Sequence, residues 1–179
     1  MKQIQVRDKT FEVYIPGQEI EATIARLAKE IEADMHDKDP LFLVILNGAF
    51  MFAADLFKTL TIPCEVSFAR LSSYQGMETT NKVRELIGAG EEVKGRHVVI
   101  IEDIIDTGIT LEHLQATLQK HKPASIQLAT MLYKPESFQK DYPIQYIGLE
   151  IGNDFVVGYG LDYDGHGRNL SDIYKVVSQ

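Results

Sequence analysis

Three carboxylates fall within five residues in the middle of this chain, Glu102, Asp103 and Asp106, and the run continues as Thr107-Gly108-Ile109-Thr110. Clustered carboxylates repel one another unless a cation or a proton relieves them. Asp, Thr and Gly at a strand-to-helix turn suit an anion. Backbone N–H groups point outward there, glycine removes bulk, threonine hydroxyls donate, and the following helix presents its positive end. A phosphate can sit on such a turn while the acids just before it meet hydroxyls or a metal ion. The plainer alternative is an acidic strand end followed by a helix cap, the usual role of a single Asp or Thr at such a boundary. Three acids leading into Thr-Gly-x-Thr favour a site.

Periodicity identifies the elements that must position these groups. The acids end a β-branched run that starts at His97 and reads as a strand buried on both faces, and Leu111, Leu114 and Leu118 continue as a helix. Upstream, Ile4, Val6, Phe11, Val13 and Ile15 alternate around Arg7-Asp8-Lys9-Thr10, which predicts a hairpin. Ile20, Ile24, Leu27, Ala28, Ile31 and Met35 recur at helical spacing and predict an amphipathic helix over 18–36. Leu41 to Leu46 reads as a buried strand, Phe50 to Leu60 as a helix, and Val66 and Phe68 as the next strand. Further strands are expected at Ile126 to Leu132, Tyr146 to Ile151 and Phe155 to Leu161. Strands alternating with helices predict an α/β fold, a mostly parallel twisted sheet flanked by helices. No linker divides the chain, so residues 1–179 are expected to form one domain.

Composition narrows the function. With 179 residues, 45% hydrophobic and 25% charged, the chain can bury a sizeable core. It has no apolar run near the ~20 residues that span a bilayer and no apolar export segment after Met1. Its one cysteine, Cys64, leaves no internal disulfide, and a cytoplasmic protein is expected. A net charge of −8 argues against nucleic-acid or anionic-membrane partners. A substrate with several phosphates stays compatible if Mg²⁺ accompanies it.

In open α/β sheets ligands bind outside the carboxyl ends of strands, so other strand ends should join the acidic turn. Asn47-Gly48 follows the first buried strand and alone reads as a turn into a helix. Ser73-Tyr74 opens a polar, glycine-containing connector from Ser72 to Glu92, long enough to be a lid or a disordered segment, with 83–87 as a candidate strand. Lys134 follows a strand and alone would be a solvated end, and Phe155 would ordinarily be a core aromatic.

Glu102-Asp103-Ile104-Ile105-Asp106-Thr107-Gly108-Ile109-Thr110 resembles the phosphoribosyl-pyrophosphate (PRPP) motif of type I phosphoribosyltransferases, in the form used by the hypoxanthine-guanine branch. A second long match is Asp154-Phe155-Val156-Val157-Gly158-Tyr159-Gly160-Leu161-Asp162-Tyr163. The resemblance implies a purine-salvage glycosyltransferase, with a small hood formed from the chain termini over the parallel sheet. It implies that Asp106, Thr107, Gly108, Ile109 and Thr110 hold the 5′-phosphate of PRPP, with Asp106 as the catalytic group facing N7 of the base. Asn47, Gly48 and Arg168 would bind pyrophosphate, the loop at Asn47 following a non-proline cis peptide; many relatives carry lysine where this chain has Asn47. Lys134 would donate to the 6-oxo group of the purine, Phe155 would stack on the ring, and Val156 and Asp162 would complete the purine site. Glu102, Asp103 and Asp162 would address Mg²⁺, Glu102 and Asp103 meeting the ribose hydroxyls directly or through the metal. Ser73 and Tyr74 would belong to a lid that excludes water from a carbocation-like sugar centre. PRPP and a 6-oxopurine are the implied partners, in a homodimer or homotetramer.

Three other functions fit less well. A response-regulator receiver also combines acids, Mg²⁺ and a strand-end lysine, but its acidic pair follows the first strand of a chain nearer 120 residues. An RNA-binding regulator on the same fold would need a basic face, which a −8 chain is poorly placed to supply. A dinucleotide-dependent dehydrogenase would need Gly-x-Gly-x-x-Gly, which is absent, as are the Walker A and HExxH patterns.

Overall fold

The computed structural model describes residues 3–71 and 92–177. The chain runs through β1 (Gln3–Val6), β2 (Lys9–Ile15), α1 (Gly17–Met35), β3 (Leu41–Leu46), α2 (Phe50–Thr59) and β4 (Glu65–Arg70). It continues with β5 (His97–Ile105), α3 (Ile109–Gln119), β6 (Ser125–Tyr133), β7 (Tyr146–Glu150), β8 (Val156–Val157) and β9 (Ile173–Val176). The expected Ser73-Tyr74 lid and the candidate strand at 83–87 lie outside the described residues.

Five strands form a parallel sheet in the order β4-β3-β5-β6-β7. The unbroken apolar runs of β3 and β5 arise because both faces are covered, and successive side chains alternate between the two layers. Phe42, Val44, Val99 and Ile101 pack with Ile24, Leu27 and Ile31 of α1 and Phe52 and Leu56 of α2. Leu41, Leu43, Val98 and Ile100 pack on the other side with Leu111, Leu114 and Leu118 of α3. The helical spacing in α1 is borne out, since Ile20, Ile24, Leu27, Ala28, Ile31 and Met35 are all buried.

A second, antiparallel sheet has the order β1-β2-β9-β8 and joins the two ends of the chain, as the expected hood requires. Val6, Phe11, Val157 and Tyr174 are its own small core. Asp172, just before β9, accepts the Gly17 N–H at 2.7 Å with Oδ1, so the hood caps the start of α1. The last strand needs correction. The expected strand from Phe155 to Leu161 is confined to Val156–Val157, and β9 at Ile173–Val176 was not anticipated. Positive φ at Gly158 (104°), Tyr159 (48°) and Gly160 (98°) breaks the extended run. The two bonds Gly158 N–H to Leu161 O and Leu161 N–H to Gly158 O close it into a turn.

One feature of register opens the site. β5 pairs with β3 only as far as Val44↔Ile101, yet with β6 it continues to Ile105↔Tyr133. β3 itself stays with β4 to Leu46↔Arg70. The sheet therefore splits beyond Ile101, at the carboxyl ends of the strands.

Phe42 is fully buried beneath α1 and α2 and meets Phe57 edge-on at 5.3 Å. Phe42→Ala is expected to cost about 3–5 kcal/mol of unfolding free energy. A lower urea midpoint with an unchanged slope would be the signature, and a midpoint within error of the parent would contradict this account of the core.

Candidate active site

A cavity of about 320 Å³ occupies the split, and its walls come from three strand-end loops. Leu46 to Gly48 forms one side, Glu102 to Thr110 the floor, and Asp162 and Arg168 the side beneath the hood. Of the residues expected to touch the ribose phosphate or the pyrophosphate, all but Ile109 line this cavity.

At the Asp106–Thr110 turn, Gly108 stands at φ +78° and is the residue before the first turn of α3. Glycine has no side chain to cap the helix, so neither Asp106 nor Thr107 is a conventional cap there. The Ile109 N–H donates to Thr107 Oγ1 at 3.5 Å, and the N–H groups that follow in the first turn of α3 are left for another acceptor, in the field of the helix's positive end. Asp106 is half-exposed at the start of the turn, and Lys134, a buried lysine, reaches it with Nζ 3.5 Å from Oδ2.

Glu102 and Asp103 are not on the turn but within β5, on the stretch that has lost β3 as a neighbour. Glu102 Oε2 is buried without a hydrogen-bond partner among the described residues. Burial, the Asp103 charge and a hydrogen bond with Asp103 together push the Glu102 carboxyl well above the usual carboxylate range. Burial also raises Asp103, against the opposing pull of hydrogen bonds from Glu102 and the Ile104 N–H and of the Arg168 charge.

The loop expected to bind pyrophosphate has the expected cis peptide between Leu46 and Asn47. A Cβ on Gly48 would overlap the Asp103 carboxylate, and one on Gly160 would overlap the Gly48 carbonyl. Three segments distant in sequence are thereby stacked at a spacing that only glycine allows. Gly160 was not anticipated as a site residue; the Gly158-Tyr159-Gly160 triplet was the available signal.

Arg168 is braced over this stack. Its Nη1 donates to Gly160 O at 2.7 Å and its Nη2 lies 2.6 Å from Asp162 Oδ1. Asp162 Oδ2 accepts the Gly165 N–H at 2.6 Å, so both of its oxygens are engaged. Among the described residues no three His, Cys, Asp or Glu side chains converge on one point. Two carboxylates, one with an orphaned oxygen, nevertheless suit a cation that keeps water and substrate oxygens in most of its coordination shell, as Mg²⁺ does.

Of the expected purine residues, Asp162 lines the cavity, whereas Lys134, Phe155 and Val156 lie outside its lining. Phe155 is 45% exposed and meets Tyr163 edge-on at 5.7 Å, with Lys9 Nζ 5.9 Å from its ring centre. Val156 is buried in β8 opposite Lys175. Lys134 bridges the two regions through Asp106.

The orphaned oxygen of Glu102 makes a stability prediction. Glu102→Gln places an amide donor beside Asp103 and is expected to stabilise the ligand-free protein at neutral pH by about 1–3 kcal/mol. Because the folded-state pKa lies above the unfolded value, the unfolded chain releases this proton first as pH rises from about 4.5. The wild type should lose stability relative to the variant over that rise, and the two should converge below it. Thermal melts across pH 4 to 8 that stay parallel would refute this.

The family model for the phosphoribosyl transferase domain matches residues 14–164. A hypoxanthine phosphoribosyltransferase of Haemophilus influenzae is 42% identical over 170 residues, covering 93% of this chain and 95% of that protein. The hypoxanthine-guanine phosphoribosyltransferase of Mycobacterium tuberculosis is 38% identical over 169 residues, covering 90% and 83%. Among solved structures, a hypoxanthine-guanine phosphoribosyltransferase of Bacillus anthracis superposes with a TM-score of 0.85 at 35% identity, over 93% of this chain and 97% of that one. With the split parallel sheet, the hood and the uncapped acidic turn in place, this chain belongs to the phosphoribosyltransferase family, on its hypoxanthine-guanine branch.

Proposed function

We propose that this chain transfers the 5-phosphoribosyl group of PRPP to N9 of hypoxanthine, and of guanine, giving IMP or GMP and pyrophosphate. The observation that carries this reading is the pairing of Lys134 with Asp106 at 3.5 Å, next to an uncapped phosphate turn. In a 6-oxopurine the oxygen on C6 and N7 lie side by side on one edge. A lysine donor and a carboxylate acceptor held adjacent match that edge, with the ribose phosphate a few residues further along the same turn.

In this account the backbone from Asp106 to Thr110 binds the 5′-phosphate, and Thr107 and Thr110 add hydroxyl donors. Glu102 and Asp103 take the ribose hydroxyls. The backbone at Asn47 and Gly48 and the guanidinium of Arg168 hold the pyrophosphate, a planar donor pair facing phosphate oxygens. Mg²⁺, when bound near Glu102, Asp103 and Asp162, would neutralise the charge growing on pyrophosphate. Pyrophosphate leaves C1 of the ribose as N9 attacks from the opposite face, inverting the sugar. Positive charge then develops on the purine, and Asp106 accepts the hydrogen bond, or the proton, of N7–H. Phe155 supplies a stacking face and Val156 its backbone groups. Lys134 selects for a 6-oxo acceptor, because the amino group of adenine would leave this cation without one.

Mg²⁺ dependence, a single domain over 1–179, a cytoplasmic location and a homodimeric or homotetrameric state complete the proposal. They are supported by family membership and by the lack of any described helix long and apolar enough to cross a membrane. The direct test is a spectrophotometric assay with PRPP, Mg²⁺ and each base in turn. Hypoxanthine and guanine should turn over and adenine should not; turnover of adenine alone would overturn the assignment.

Two variants check the roles. Lys134→Ala should raise the KM for hypoxanthine roughly 10- to 100-fold with little effect on that for PRPP; equal losses would remove Lys134 from base recognition. Asp106→Asn should lower kcat on the order of 100-fold while PRPP affinity changes much less. Unchanged turnover would take Asp106 out of the chemistry.

A further inference from the structure

The carbonyl groups of the phosphate turn are held from behind by the stretch from Lys134 to Tyr142 between β6 and β7, in which only Lys134 was anticipated. The Lys134 N–H donates to Ile105 O at 2.9 Å, and the Gln139 N–H donates to Thr107 O at 3.2 Å. The Tyr142 hydroxyl donates to Gly108 O at 2.7 Å, a carbonyl that also accepts the Glu112 N–H at 3.0 Å. These peptide units are trans. In a trans unit the C=O and the following N–H point in opposite directions. Holding the carbonyls of Ile105, Thr107 and Gly108 therefore aims the N–H groups of Asp106, Gly108 and Ile109 away from the segment. Asp106 and Gly108 line the cavity, so their amides are the ones a phosphate would meet, while the Ile109 N–H donates to Thr107 Oγ1 at 3.5 Å and so holds that cavity-lining side chain.

The segment is itself well anchored. Phe138 meets Tyr133 edge-on at 5.5 Å and Tyr142 at 5.3 Å. Its ring and the Tyr142 hydroxyl fill the space where a side chain at position 108 would go. Lys140 Nζ lies 2.7 Å from Glu112 Oε2, on the first turn of α3. Burial pushes the Tyr142 hydroxyl up to about 12, so it remains a donor at any physiological pH. At its other end the segment folds back on its first residue, with the N–H groups of Ser137 and Phe138 both 3.2 Å from Lys134 O.

We propose that Lys134–Tyr142 is a positioning element that couples the two halves of the substrate site. Through Tyr142 and the Gln139 N–H it sets the amides that grip the ribose phosphate, and through Lys134 it presents the donor for the purine. The proposal rests on the roles given above to the Asp106–Thr110 turn and to Lys134. Tyr142 touches no substrate and acts through the turn.

The test is Tyr142→Phe in the full chain, which removes one oxygen and leaves Gly108 O with its Glu112 partner. Binding of IMP and of inosine, which lacks the phosphate, is measured by titration calorimetry alongside steady-state kinetics. IMP affinity should fall roughly three- to tenfold, the KM for PRPP should rise by a similar factor, and inosine should bind as before. Unchanged IMP binding, or equal losses for IMP and inosine, would overturn the proposal. In the double variant with Lys134→Ala, the losses in IMP affinity should combine less than additively; strict additivity would remove the coupling. A wild type that binds neither IMP nor PRPP would instead overturn the functional reading on which the proposal stands.

Discussion

The site depends on a mismatch of strand length. β5 keeps its hydrogen-bonded neighbour β6 for four residues after it has lost β3, so Glu102 and Asp103 sit beside a gap where β3 would have been. An acidic residue in the middle of a parallel sheet would face apolar layers on both sides and would have to be neutralised or paired. Beyond Ile101 the same strand can carry Glu102 and Asp103 beside a cavity, where hydroxyls, water or a cation can reach them. Ile105 returns to the core, and the turn that follows is therefore delivered at a defined height above the sheet.

The remaining pieces are held to that strand end by close approach more than by side-chain bonding. Asp103, Gly48 and Gly160 form a stack from three loops, and Arg168 closes it by bonding to the Gly160 carbonyl. Gly160 in turn donates its N–H to Arg168 O at 2.9 Å, so the hood loop is tied to its own arginine while resting on the Asn47-Gly48 loop. At Gly48 and Gly160 the stack has no room for a side chain.

The ligand-free site is costly for the fold. An acceptor without a partner and two carboxyls pressed together by burial are features that stability alone would remove. Their presence is what a ligand that brings hydroxyls or a cation would reward, in the usual exchange between stability and activity. The clamp behind Gly108 shows the opposite economy: an aromatic cluster and one phenol hold a turn whose front face is left for a substrate.

Much of this was legible in consecutive residues. The short unbroken apolar runs Leu41–Leu46 and Val98–Ile101 read as strands covered on both faces, and they lie in β3 and β5. The helical spacing from Ile20 to Met35, and the passage from acids through Thr-Gly-x-Thr into Leu111, are local patterns, and local backbone preferences decide them. What no local pattern contains is the relation between elements far apart in the chain. Periodicity shows which face a strand buries, but the point at which β3 parts from β5 depends on register between residues more than fifty positions apart. For the same reason the contact of Gly160 with Gly48, the Tyr142 bond to a carbonyl 34 residues away and the pairing of β9 with β2 were decided only by the tertiary structure. The residue types that could do the chemistry were set by the sequence; the gap in which they can do it exists because packing fixed where one strand outruns another.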